Sequence, residues 1–452
     1  MSEVYNKLFD RLAQHAERVF GPAAIHMALQ EYFLWPEDEE AELDAQLVER
    51  HMTLFVPWFL FNWEYDPTED EIELNGPPAK TVAELYAEER GPRLDSYERR
   101  VIEAVNRKPY SFYEALEVDS GRQILLQDVL SGRRVTVQER TGSQYIKPSD
   151  IVFGRVAEID GIGMIMGFSP YVIPPGHKPM IIEFRGRMKG EAQRISDDVL
   201  SDWEFEIREF FLIIDRILFA GPKLCNTDGD PLEFHKIVFD IDSADDAFEK
   251  LVFLCVTTKA SVLRKDAEKD ADGHIRRAEI TWDRKGHKAA PELSSTILGH
   301  IIIDGGRLTA EVNSARRAET IRKKIEAKLG AGARFRVDEI SNLDKMMNDE
   351  KLMARAAERS AEHDALMQIP ELRRHMAEMI RKHWENWVDM KLPALGGKTP
   401  RQAVLTGDGI EAVEALLVQA ERTGERDPGM GEMNREGTRL VRALLGLRKP
   451  LP

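Results

Sequence analysis

The sequence predicts a multi-domain α+β protein: a helical domain over 1–115, a small antiparallel β-barrel-like domain over 116–195, an α/β two-layer module over 196–341 and a helical C-terminal domain over 342–452. Three observations predict it. Apolar residues recur at helical spacing near both ends of the chain. From about Tyr113 to Arg187, short β-rich runs alternate with turn signals at roughly ten-residue spacing. Between them, strand and helix patterns alternate. At roughly 150 residues per domain, the length allows about three domains.

The first helical stretch, residues 4–34, carries Leu8, Leu12, Ala16, Val19 and Phe20, then Ile25, Leu29 and Phe33 after a Gly21-Pro22 break. An acidic run follows, Glu37-Asp38-Glu39-Glu40 with Glu42 and Asp44, which reads as a solvated face. Phe55, Trp58, Phe59, Phe61, Trp63 and Tyr65 form an aromatic-rich helix whose bulk belongs in a core. Asp95 followed by Glu98 three residues on is a helix-start signal. The barrel region reads ILLQDVL, RVTVQER, IVFGRVAEI, MIMGF, YVI and MIIEFRG, each expected as a strand.

A helix is expected from Asp197 to Phe219, and a tight turn at Asp228-Gly229. Residues 243–265 read as helix and RRAEITWD as a strand; TILGHIIIDGGRLTAEV reads as a hairpin leading to a helix capped by Ser314 and ended by Gly330. Strand ARFRVDEI closes that module. Helical periodicity returns from Asn342. Pro370 opens one helix, and Thr399 as N-cap with Pro400 at N1 opens another, with Gly407 near its C-cap.

Composition narrows the function classes. Hydrophobic residues are 42% and charged residues 31%, as in ordinary globular proteins. With 63 Lys and Arg against 79 Asp and Glu, the net charge of −16 repels phosphate backbones and argues against bulk non-specific nucleic-acid binding. Two cysteines, Cys225 and Cys255, exclude a disulfide scaffold and a Cys-rich zinc site. Both are expected as reduced, buried thiols of a cytoplasmic protein. The N-terminus lacks the apolar core of a signal peptide, and the longest apolar stretch, Phe205 to Ala220, is interrupted by five charges, so no membrane association is expected.

Candidate chemistry is sparse. Gly397-Lys398-Thr399 ends like a phosphate-binding loop, but Leu392 stands where that loop needs glycine, and a helix precedes it instead of a strand. Lys398 and Thr399 stay as candidates for anion or partner contact. Gly161, Gly163 and Gly167 are spaced for a hairpin, since a strand pattern follows them. Asn226, Asp228 and Asp230 alternate like the first ligands of a calcium loop, yet the glycine falls too early and Ile237 occupies the position of the bidentate Glu. Asp228 and Asp230 are nonetheless the candidate metal ligands; no cofactor is predicted otherwise.

Around Asn313, Ser314, Arg316 and Arg317 a strand gives way to a helix, so exposed N–H groups and guanidinium groups could bind an anion or partner there. The alternative is a capped helix with Arg316 paired to Glu311 or another acid. Lys259 to Lys288 holds nine Lys or Arg against six Asp or Glu, and the tail carries Arg435, Arg439, Arg442, Arg448 and Lys449. Those are the places to look for nucleic acid.

NTDGDP, LGHIIIDGGRLTAEVNSARRAETIRKKIEAKLG and HWENWVDMKLPALGGKTPRQAV, with Gly409 and Leu416-Leu417, resemble an uncharacterised bacterial family related to SEC-C motif-containing proteins. The resemblance extends to FVPWFLFNWEYD and VLSGRRVTVQERTGSQYIKPSDIVFGRV. The tail here has no cysteine, so the zinc role of that motif does not carry over. Residues 392–417 are similar to the toxin-binding domain of Xre-type antitoxins, which implies protein–protein binding. The sequence thus points to a non-catalytic protein- or nucleic-acid-binding protein; the alternative is a metal-dependent hydrolase or nuclease using Asp228 and Asp230. The residues identify neither the partner nor the oligomeric state.

Overall fold

The computed structural model describes residues 2–34, 44–67, 74, 76–190, 194–219, 224–286, 294–341, 369–425 and 428–447. The acidic run 37–43, most of the helical stretch after Asn342, and Lys288, Arg448 and Lys449 lie outside them. The architecture is α+β, with two compact units: residues 1–219 together with 369–452, and residues 220–368.

In the first unit, α1 (Ser2–Phe20), α2 (Ala23–Phe33), α3 (Ala45–Phe61), α4 (Val82–Arg90) and α5 (Ser96–Val105) precede five strands. Asp95 caps α5 by accepting from the Tyr97 and Glu98 amides. The aromatic residues of α3 are core, as expected: Phe55, Trp58, Phe59 and Phe61 are all buried.

The strands β1 (Ser111–Asp119), β2 (Gln123–Asp128), β3 (Arg134–Gln138), β4 (Ile151–Ile159) and β5 (Ile162–Phe168) close a barrel in the order β1-β2-β3-β5-β4. Closure rests on one parallel pairing, Val137 with Gly163. A Cβ on Gly163 would lie 2.3 Å from the Thr136 carbonyl oxygen, so the two strands meet only because that residue is glycine. Small side chains with Tyr113, such as Ala115, Ile124, Val137 and Val156, fill the barrel. Outward-facing Phe112 and Phe153 join the helical core instead, where Phe153 stacks on Phe211 at 4.0 Å between centroids.

Three expectations fail after the barrel. YVI forms no strand; only Ile173 makes an isolated bridge, to Ile151. MIIEFRG belongs to a helix, α6 (Lys178–Lys189), rather than a sixth strand. Its buried positions, Lys178, Pro179, Ile181, Ile182, Phe184, Arg185 and Met188, cover a wide face of the helix, and two of them are basic, so the apolar pattern alone hides the period. The helix expected over 197–219 is two, α7 (Asp197–Asp202) and α8 (Glu204–Phe219), separated at Trp203.

The first unit is completed by α12 (Pro370–Trp387), α13 (Pro400–Ala403), α14 (Gly407–Gly424) and α15 (Pro428–Leu445). Trp384, Val388, Leu395, Val413, Leu417 and Val441 enter the same core as α1 to α8. Gly407 does not end α13: Thr406 caps the next helix, and Gly407 is its first residue.

The second unit holds β6 (Phe234–Ile241), α9 (Ala244–Leu251), α10 (Ala260–Asp266), β7 (Glu268–Lys269), β8 (Ile275–Lys285), β9 (Ser295–Asp304), β10 (Arg307–Val312), α11 (Ala315–Leu329) and β11 (Ala333–Ser341). The strands form an antiparallel sheet in the order β11-β6-β10-β9-β8-β7. Period-two burial sends Ile237, Phe239, Ile301, Ile303, Leu308 and Ala310 into a core with Phe248 and Leu251 of α9 and Ile321 and Ile325 of α11. The single helix expected over 243–265 is broken at residues 252–259, where Cys255 is buried and Val256 donates its amide to Asp283 Oδ1 at 2.6 Å. Cys225 is exposed, not buried.

Candidate functional site

In the second unit the structure brings together six of the candidate residues. The turn at Asp228-Gly229 is tight: Asn226 Oδ1 accepts from the Asp228 and Asp230 amides, and Cys225 bridges to Pro231. Facing it is the start of α11, where Ser314 Oγ accepts from the Arg317 amide.

Both carboxylates are taken up by arginines. Arg317, its side chain 5% exposed, donates from Nη2 to Asp228 Oδ2 at 2.7 Å and to Thr227 Oγ1 at 2.7 Å. Its Nη1 donates to Asn313 Oδ1 at 2.9 Å. Arg284 of β8, which the sequence reading did not single out, reaches Asp228 Oδ1 at 2.7 Å. Arg316 pairs with Asp230 at 2.9 Å, and Ser314 Oγ donates to Asp230 Oδ2 at 2.9 Å. Desolvation raises the Asp228 carboxyl, but hydrogen bonds from Arg317 and Arg284 outweigh it and hold the group at about 2. The chain therefore supplies its own anions to this helix start. Among the described residues no group of three or more His, Cys, Asp or Glu is arranged to hold a metal ion.

Lys398 and Thr399 belong to the first unit. Thr399 Oγ1 accepts from the Gln402 amide while Gln402 Oε1 accepts from the Thr399 amide, a reciprocal cap that fixes α13. Lys398 is exposed at the turn before it. Gly409 is held against α13 so tightly that a Cβ would lie 1.8 Å from the Ala403 carbonyl oxygen. Leu405, in the turn between α13 and α14, is 83% exposed, and Ile410 of α14 is 41% exposed. A groove of about 370 Å³ runs past the turn, lined by Pro179 and Ile182 of α6 and by Leu395, Lys398, Ala403 and Ala412.

Buried ion pairs tie the start of α14 to α6 and the barrel. Lys178 Nζ lies 2.6 Å from Glu114 Oε2 on β1 and 2.7 Å from Glu411 Oε1 on α14. Arg185 donates to Glu411 Oε2 at 2.7 Å, to Asp408 at 3.1 Å and to the Val129 carbonyl at 2.6 Å. Desolvation raises Glu411, yet Lys178 and Arg185 together hold its carboxyl below the usual range. Farther along, Gln419 accepts from the Gly176 amide and Arg422 pairs with Asp150. Sequence reasoning missed this clamp. Its only trace is two basic residues at helical spacing within an apolar run.

Comparison with known proteins gives two matches. Residues 71–199 match a family of unknown function, DUF7986. Residues 381–421 match the antitoxin Xre/MbcA/ParS C-terminal toxin-binding domain. No curated protein matches the chain, and no solved structure does. The second match contains the Thr399 cap, Leu405, the groove lining from Leu395 to Ala412, and Glu411 of the clamp. Among the described residues no helix is long and apolar enough to cross a membrane.

Proposed function

We propose that this chain is a non-catalytic protein-binding protein that works in the cytoplasm and grips a folded partner through the α13–α14 turn. The observation that carries the reading is Leu405. A large apolar side chain held 83% exposed, inside a stretch similar to a toxin-binding domain, fits a role in contact with another protein. The Arg–Asp cluster weighs against a metal-dependent hydrolase or nuclease, because Asp228 and Asp230 are already paired with three guanidinium groups. The relation to SEC-C proteins rests on the sequence resemblance and adds no activity.

The test is capture with the tagged full chain from extract of the source cell. One protein is expected in stoichiometric amount. Leu405→Asp is expected to weaken that capture by about tenfold or more, since a fully buried leucine contributes roughly 1.5–3 kcal/mol. Ile25→Asp, on an exposed position of α2, leaves capture unchanged. Equal capture by the Leu405→Asp chain, or a wild-type chain that returns alone, ends the proposal. An eluate dominated by absorbance at 260 nm replaces it with nucleic-acid binding.

A further inference from the structure

The sheet of the second unit ends on β11, which pairs with β6 along one side and, among the described residues, with no strand along the other. It is nine residues long, and Phe335, Val337 and Ile340 are 36%, 41% and 52% exposed. A row of N–H and C=O groups along such an edge is a template for another strand, and the opposite edge offers far less, since β7 is only two residues long. β11 carries four charged side chains and a bulge, which restrict that pairing to a strand of matching charge and register.

The charges on β11 say which strand fits. Its sequence, ARFRVDEIS, places Arg334 and Arg336 before the midpoint and Asp338 and Glu339 after it. Laid antiparallel on itself about a two-fold axis between Arg336 and Val337, each arginine half meets the acidic half of the other copy; laid parallel, like charges would meet. The register makes the match face by face. Arg334 lies opposite Asp240 and Glu339 opposite Lys236, two positions on the sheet face away from the helices, and the bulge between Phe335 and Val337 is what brings both onto it. Its present partner holds Arg334 only weakly: the pair with Asp242 is long, at 3.4 Å, and both side chains are largely exposed.

We propose that β11 pairs edge to edge and antiparallel with β11 of a second copy of this chain, joining two six-stranded sheets into one, with Arg334 of each copy opposite Glu339 of the other. Sedimentation equilibrium of the full chain reads this directly. The wild type is expected at twice the chain mass. Arg334→Glu and Glu339→Arg, each alone, set like charges opposite each other at two symmetric positions and weaken self-association by about tenfold or more. An equimolar mixture of the two variants restores opposite charges at both positions, and the dimer returns; that return also shows both variants folded. A wild-type chain that stays monomeric at tens of micromolar overturns the proposal. So do variants that dimerise like the wild type, and a mixture that stays as monomeric as its parts.

Discussion

Arg317 shows how one side chain can satisfy a sequence pattern and serve a different end. Its place at a helix start marks an anion site, and an anion is there: the carboxylate of Asp228, only 6% exposed. Removing Arg317 leaves that charge buried with less than its full set of partners. Arg317→Ala is therefore expected to destabilise the second unit by about 3–5 kcal/mol, whereas Arg316→Ala, on a side chain 57% exposed, costs about 0–1 kcal/mol. Urea denaturation of the two variants checks the contrast, and equal effects would refute it. The pH dependence follows from the same contacts. Asp228 sits at about 2 in the folded chain, below an ordinary carboxylate. Its contribution is complete above the unfolded value and fades as pH falls from about 4 towards 2. In Asp228→Asn that part of the acid sensitivity is absent, which a thermal melt between pH 2 and 5 would register. The turn, the cap and the strand-to-helix step were legible from Asn226 to Arg317. That Arg284 completes the cluster was not, because β8 reaches it through sheet pairing and not through sequence spacing.

At the scale of the element, α6 is the instructive case. Lys178 and Arg185 are seven residues apart, two helical turns, and both are buried because Glu114 and Glu411 meet them. A reading that scores basic residues as surface loses the helical period at those positions and leaves MIIEF to look like a strand. The amphipathic helices with apolar stripes, α1 and α11 among them, were legible for the opposite reason: burial and apolarity coincide. The clamp has a measurable consequence. Glu411→Ala strips both cations of a partner and is expected to cost about 3–5 kcal/mol in the first unit. Exchanging Lys178, Arg185, Glu114 and Glu411 together for apolar residues of similar size is expected to cost far less, because the one charge released, Asp408, is half-exposed. Guanidinium denaturation followed by tryptophan fluorescence, which Trp384 and Trp387 of α12 report for the first unit, separates these outcomes. If the single change costs as little as the fourfold exchange, the clamp carries no stability.

At the scale of the whole molecule, the second unit is an insertion. The chain leaves the first unit after Phe219, builds a sheet with its own core, and returns at Ile369 to place Trp384, Val413, Leu417 and Val441 among the side chains of α1 to α8. Helical periodicity marks an apolar stripe but not the surface that covers it, so this return leaves no mark in the sequence. It does set which cuts the chain tolerates. A chain ended at residue 341 keeps every described element of the second unit but removes six large buried side chains of α12 to α15 and the turns between them from the first. Its first unit is expected to expose that apolar surface and bind a hydrophobic dye. A chain in which a short Gly/Ser linker joins 219 to 369 keeps the first core whole and is expected to unfold in a single cooperative thermal transition. Residues 220–368 produced alone are expected to do the same, since Phe239, Phe248, Ile301 and Ile325 are all fully buried within that unit. Calorimetry of the three chains decides the point. If the linked chain fails to melt cooperatively while the chain ended at 341 does, the C-terminal helices are not part of the first core.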